Sequence, residues 1–105
     1  MIGELVKFPA PEGASLVEMA EGARGVVPKW RANPDLIRKH FLRSEDGRWN
    51  FDFYLWKSRD AALRAHDAAW RSEVVERSGA EPVITYFDAF MVIDNEAGTV
   101  WEEAG

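Results

Sequence analysis

The period at which apolar positions recur changes repeatedly along this chain, and each change predicts a new element. Residues 4 to 8, ELVKF, form a short β-like segment that stops at Pro9 and Pro11, which lack the N–H a sheet ladder needs. Ser15-Leu16-Val17-Glu18 has the spacing of a capping box, in which the serine oxygen and the glutamate carboxylate each satisfy an orphan backbone N–H at a helix start. Leu16, Met19, Ala20, Ala23 and Val27 then fall on one helical face. Gly22 and Gly25 weaken that helix by up to about 1 kcal/mol each relative to alanine. Pro28 either kinks it or begins a second short helix, which carries Trp30 on the same face.

Asn33-Pro34 ends the helical period, and residues 35 to 43 read as a strand. Ser44-Glu45-Asp46-Gly47 is a turn signal, and residues 48 to 57 form the return strand. Ser58 caps a second helical region that places Leu63, His66, Trp70 and Val74 on one stripe, with an internal break at Asp67 and a stop at Gly79. Glu81 to Asp94 is rich in β-branched and aromatic residues and predicts one long last strand, followed from about residue 95 by a polar tail. The order βαββαβ predicts a single α+β domain over residues 1–105 of ferredoxin-like type, an antiparallel sheet with helices on one face. The other sheet face is left open, and a second subunit is its natural cover.

Side-chain alternation divides the hairpin into two faces. With Ser44 to Arg48 as the loop, Arg43 pairs with Trp49, Phe41 with Phe51, Lys39 with Phe53 and Ile37 with Leu55, all on the helix-facing side. Leu36, Arg38, His40 and Leu42 then oppose Trp56, Tyr54, Asp52 and Asn50 on the other side, where His40 can hydrogen-bond Asp52. A one-residue shift would scramble these pairings. Lys39 points at the helices from the middle of its strand, and its ammonium must find a carboxylate, snorkel to water or accept a depressed pKa.

Composition narrows the classes of function. The 105 residues, 47% hydrophobic and 30% charged, suit a globular domain burying a bit over 60% of its unfolded surface. A net charge of -5 with no basic stripe argues against a nucleic-acid partner. With no cysteine there is no disulfide framework, thiolate nucleophile or Cys-ligated zinc, and a reducing compartment fits. No apolar run suits a signal peptide or a membrane helix, so a cytoplasmic location with no membrane partner is expected. Two histidines without clustered carboxylates predict no metal site, and neither a glycine-rich phosphate loop nor a G-x-S-x-G serine signature is present.

The stretch NPDLIRKHFLRSEDGRWNFDFYLWKSRDAALRAHDAAW, continuing through RSGAEPVITYFDAFMVIDN, resembles the YdhR-like branch of the dimeric α/β-barrel mono-oxygenase-like proteins, near the antibiotic-biosynthesis mono-oxygenases. The resemblance covers roughly residues 4 to 95 and rests on Pro-x-Leu-Ile-x-Lys at Pro34 to Lys39, Tyr-Leu-Trp-x-Ser at Tyr54 to Ser58, Trp70 in a helix, and Tyr-Phe-Asp at Tyr86 to Asp88. It implies a homodimer whose two sheets face each other as a barrel, with a pocket in each subunit between sheet and helices. Members include cofactor-independent mono-oxygenases that oxidise polycyclic phenols to quinones, and haem-degrading enzymes. The iron-ligating histidine of the haem branch falls near Val75 here, with His66 about two turns earlier, so haem is disfavoured and no cofactor is expected. Phe51 and Asp52 stand where relatives usually carry small residues, which implies a smaller or differently shaped pocket.

A cofactor-free oxygenase needs an apolar cavity for an aromatic substrate, a proton acceptor to favour the phenolate, and a positive group to stabilise charge developing on oxygen. The resemblance points to Lys39 for the cation and His66 for the proton acceptor, its unperturbed pKa lying near neutrality. Trp30, Phe41, Phe53 and Trp70 are candidates for the cavity lining, and Tyr86 for either the pocket or the interface. Plain core packing is the competing reading for His66 and the aromatic residues. A non-catalytic ligand-binding or structural homodimer on the same fold is the competing reading for the whole chain.

Overall fold

The computed structural model describes residues 1–104. Strand β1 (Ile2–Pro9) runs longer than ELVKF and occupies the middle of a four-stranded sheet with β2 (Leu36–Arg43), β3 (Trp49–Trp56) and β4 (Val83–Asp88). The spatial order is β2-β3-β1-β4, and every neighbouring pair is antiparallel, which is the ferredoxin-like arrangement.

The helix boundaries follow the caps. In α1 (Leu16–Arg24) the Glu18 N–H donates to Ser15 Oγ at 3.1 Å while the Ser15 N–H donates to Glu18 Oε1 at 3.0 Å, closing the expected capping box. Pro28 sits in the first turn of a separate α2 (Val27–Arg31), whose buried residue is Trp30. Helix α3 (Arg59–Ala65) starts where Ser58 Oγ accepts from the Ala61 N–H, and α4 (Ala68–Ser78) starts where the Asp67 carboxylate accepts from the Trp70 N–H. Gly79 ends α4 with φ 80°, a left-handed position that glycine adopts without a Cβ clash.

Three expectations needed correction. Leu63 is 48% exposed, because the break at Asp67 changes the phase of the helical stripe: His66, Trp70 and Val74 are buried, but the stripe does not reach back into α3. Leu16 is 63% exposed and no residue of α1 is fully buried, because the apolar side of this helix faces a cavity and not the sheet. The long last strand breaks after β4: Met91–Asp94 is β5, paired with β6 (Thr99–Glu102) in a separate two-stranded sheet. The supposed polar tail is therefore the second half of a hairpin. Its turn is built by Asp94, whose carboxylate accepts from the N–H groups of Glu96 and Ala97 at 3.1 and 3.0 Å, and by Gly98 at φ 70°.

The hairpin register also differs by one residue. The Ser44 N–H donates to the Trp49 carbonyl at 2.9 Å, and the pairing that follows sets Arg43 opposite Asn50, Phe41 opposite Asp52, His40 opposite Phe53 and Lys39 opposite Tyr54, with a bulge beyond it between Leu36 and Arg38. Lys39, Phe41 and Arg43 keep their helix-facing side, but their partners are Tyr54, Asp52 and Asn50, while Phe51, Phe53 and Leu55 move to the outer face. His40 thus packs on the Phe53 ring, with centroids 6.2 Å apart, and does not face Asp52. Phe53 lies across Gly3, where a Cβ would come within 3.2 Å of its ring. The core on the helix side gathers Val6, Phe8, Trp30, Tyr54, Trp56, Ala61, Ala62, Trp70 and Val74.

Candidate functional site

A cavity of about 770 Å³ lies between the inner face of the sheet and helices α1, α2 and α4. Its wall takes Phe8 from β1, Met19 and Ala23 from α1, Trp30 from α2, Trp70 and Arg77 from α4, and Lys39, Phe41, Asp52 and Tyr54 from the β2–β3 ladder. Arg43 fixes the roof to the sheet by donating from Nη1 to the Ala14 carbonyl at 2.8 Å, with Met19 Sδ at 3.7 Å.

Alternation along β2 aims Lys39 into this space. Its Nζ lies 4.4 Å from the ring centroid of Trp30, 3.9 Å from Phe41 and 4.6 Å from Tyr54, an aromatic box that solvates a cation through ring faces. Asp52 Oδ2 is 3.8 Å from the ammonium, and the Lys39 side chain is only 7% exposed. Burial lowers the Lys39 pKa to about 8 against the opposing pull of Asp52, and Arg77 and Lys29 push it the same way as burial. Burial likewise raises the Asp52 carboxyl above the usual range, with Lys39 and Arg77 restraining the shift. The Tyr54 phenol is raised by burial and then by the charges of Asp52 and Glu4, so it stays protonated. The floor of the cavity is therefore a lysine poised to change charge near neutrality, beside a carboxyl that is a better proton acceptor than an exposed aspartate.

His66 occupies a different place. It is buried, with ring centroids 4.0 Å from Trp70 and 4.6 Å from Tyr54, and its Nδ1 lies 2.9 Å from Glu4 Oε2. Glu4 is 0% exposed and its Oε1 accepts from Trp56 Nε1–H at 2.9 Å. His66 Nε2 has no hydrogen-bond partner among the described residues. The rings of Trp30 and Tyr54 touch both Lys39 and His66, so the two candidate groups sit on opposite sides of one aromatic layer and do not meet.

Of the residues singled out from sequence, Lys39, Trp30, Phe41 and Trp70 are brought together around the cavity. Phe53 is on the outer sheet face. Tyr86 faces the helices beside Glu4, but it packs on the core under the Arg59 guanidinium, 4.9 Å from its ring, and not on the cavity wall. Asp52, Arg77 and Glu4 were not anticipated. Asp52 is the one carboxylate in the strand WNFDFYLW, a signal that the shifted register hid by sending it to the wrong face. Among the described residues no three His, Asp or Glu side chains cluster as metal ligands, and no helix is long and apolar enough to cross a membrane.

No family model and no curated protein matches the chain. Solved structures do. A monooxygenase of Streptomyces coelicolor, determined in complex with nanaomycin D, superposes with a TM-score of 0.64 at 21% identity, covering 88% of this chain and 89% of that one. A structure described as an antibiotic biosynthesis monooxygenase gives a TM-score of 0.60 at 17% identity, covering 85% of this chain and 98% of that one. SnoaB, a cofactor-independent oxygenase from Streptomyces nogalater, gives 0.55 at 16% identity, covering 84% and 91%. The chain thus has the ferredoxin-like fold of the antibiotic-biosynthesis monooxygenases.

Proposed function

We propose that the protein is a cofactor-independent mono-oxygenase acting on a small aromatic or polycyclic phenolic compound held in the cavity between sheet and helices. The observation that carries this reading is the Lys39 ammonium enclosed by Trp30, Phe41 and Tyr54 with Asp52 at 3.8 Å. The fold shared with oxygenases, one of them cofactor-independent, supports it.

In this reaction a phenol with hydrogen on the para carbon and O₂ give a quinone and water, so no external reductant is needed. Asp52 accepts the phenolic proton and the Lys39 ammonium pairs with the resulting phenolate oxygen. Electron transfer from the phenolate to O₂, followed by C–O bond formation at the para carbon, gives a ring peroxide that takes the proton back from Asp52. Asp52 then removes the ring C–H proton as the O–O bond breaks, and that proton leaves with the hydroxide as water. The proton-acceptor role moves here from His66 to Asp52, since His66 is held by Glu4 behind the aromatic layer.

The homodimer belongs to the same proposal. Val83 and Phe87 on the outer sheet face are 60% and 48% exposed, and Leu5, Phe51 and Phe53 continue the apolar surface between them. A second copy covering that face removes it from water.

Oxygen uptake with a panel of polycyclic phenols tests the enzyme. Wild type is expected to consume O₂ and yield a quinone, with losses of about 10²-fold or more in Lys39→Met and Asp52→Asn. Equal uptake by wild type and Lys39→Met removes Lys39 from the mechanism. Phenol binding without any uptake leaves the alternative, a ligand-binding homodimer without catalysis.

A further inference from the structure

The same geometry that holds Lys39 as a cation also makes its neutral amine a nucleophile with a nearby acid. We propose that the cavity takes aromatic aldehydes covalently, as an imine on Lys39 Nζ, with Asp52 as the proton donor and acceptor for the step. This activity is separate from phenol oxidation and stands whether or not the chain is an oxygenase.

Four features carry it. The Lys39 side chain is only 7% exposed yet lines a cavity of about 770 Å³, so a planar aromatic aldehyde can reach Nζ from the cavity. The rings of Trp30, Phe41 and Tyr54 lie within 4.6 Å of Nζ and offer stacking faces for an aryl group delivered to that nitrogen. Desolvation of a lysine in apolar surroundings is the general device that activates its amine for carbonyl chemistry. Asp52 stands 3.8 Å away with a carboxyl that burial moves toward its protonated form, as the dehydration step requires.

The charged groups that act on Lys39 come from four elements: Asp52 on β3, Arg77 on α4, Lys29 on α2 and Glu4 on β1. Their sum with burial leaves the pKa near 8, so at pH 8 about half of Lys39 is neutral. An exposed lysine at that pH has a neutral fraction smaller by on the order of a hundredfold.

Atoms balance without a co-reactant. The Nζ lone pair attacks the carbonyl carbon, the oxygen takes a proton from Asp52, and the nitrogen, now positively charged, returns a proton to the Asp52 carboxylate to give a neutral carbinolamine. The nitrogen then expels that oxygen as water, protonated again through Asp52, and the product is the protonated imine. A hydroxyl ortho to the aldehyde adds an internal hydrogen bond to the imine nitrogen, which makes ortho-hydroxyaryl aldehydes the preferred class.

The test uses 2-hydroxy-1-naphthaldehyde with the whole protein at pH 8, borohydride reduction and peptide mapping by mass spectrometry. The chain offers four lysines, so Lys7, Lys29 and Lys57 serve as internal controls within the same unmutated molecule. The expected result is a reduced adduct at Lys39 at least ~10-fold above Lys7, Lys29 or Lys57, which is well inside the difference in neutral fraction from an exposed lysine. Adducts spread evenly over the four lysines overturn the proposal. Asp52→Asn is expected to slow adduct formation at Lys39 by about 10-fold or more with the fold retained, as checked by circular dichroism. An unchanged rate in that variant removes Asp52 from the step. Because the readout is a covalent adduct and not oxygen uptake, failure here leaves the oxygenase reading standing, and the reverse holds equally.

Discussion

Lys39 and Asp52 meet diagonally across the β2–β3 ladder, Nζ to Oδ2 at 3.8 Å, because Lys39 opposes Tyr54 and Asp52 lies two residues before Tyr54 on the same helix-facing side of β3. Without that carboxylate the ammonium would keep only the ring faces of Trp30, Phe41 and Tyr54 beside it. A buried charge with no partner shifts its pKa or is not tolerated, so Asp52 is what supports a lysine in this cavity.

The first prediction concerns the pH profile of phenol oxidation. Activity needs Asp52 ionised and Lys39 protonated, so kcat/KM should be bell-shaped, with an alkaline limb near the Lys39 pKa of about 8 and an acid limb above the ordinary aspartate range. Lys39→Arg keeps the charge at all accessible pH values. Rates measured from pH 5 to 10 should then lose the alkaline limb, and a limb that persists near pH 8 assigns it to another group.

A second prediction concerns stability. The folded-state pKa of Lys39 lies below its ordinary value of 10.5, so the folded chain releases that proton first on raising the pH. Between about pH 8 and 10.5 the unfolded state binds more protons, and stability rises with pH. The cost of holding the cation is fully present below pH 8 and relieved above 10.5, a swing of about 3 kcal/mol. Denaturant unfolding at pH 8 and 10.5 should show this gain in wild type relative to Lys39→Met. A constant difference between the two proteins across that window contradicts it.

How much of this was readable from the residues differs from element to element. The caps at Ser15, Ser58 and Asp67 and the stops at Pro9 and Gly79 are local chemistry, and the structure places element ends there. The long-range features were not local. The register, and with it the face of Asp52 and Phe53, was read from a loop of Ser44 to Arg48, whereas Ser44 still pairs with Trp49 and the loop is one residue shorter. The β5–β6 turn did have its signal in Asp94 and Gly98, but β-branched content over residues 81 to 94 masked it. Glu4 was invisible as a site because a carboxylate in a strand reads as solvent-facing until its partners, Trp56 and His66, are known to be 52 and 62 residues away.

The third prediction tests the role of that network. Glu4 satisfies both the Trp56 indole and the His66 Nδ1 in a fully buried site. Glu4→Ala therefore leaves two buried polar groups without their partner and should lower stability by about 3 to 5 kcal/mol. Phenol affinity of the folded fraction should change far less than in Lys39→Met, since the network lies behind the aromatic layer. Chemical denaturation and fluorescence titration separate the two effects. A large affinity loss with unchanged stability places Glu4 in the binding machinery instead.

The fourth prediction concerns assembly. Phe87 is 48% exposed on the outer face of β4, on the far side of the sheet from the cavity, whereas Phe41, nearly as exposed at 44%, looks into the cavity. If a second copy covers the outer face, wild type should run as a dimer in light scattering at micromolar concentration. Phe87→Asp places a charge within that apolar contact and should give the monomer mass, because an unpaired charge cannot be desolvated there without a cost of several kcal/mol. Phe41→Asp should leave the dimer intact while weakening phenol binding. A wild-type monomer mass removes the barrel assembly, and a dimer that survives Phe87→Asp places the interface elsewhere on the molecule.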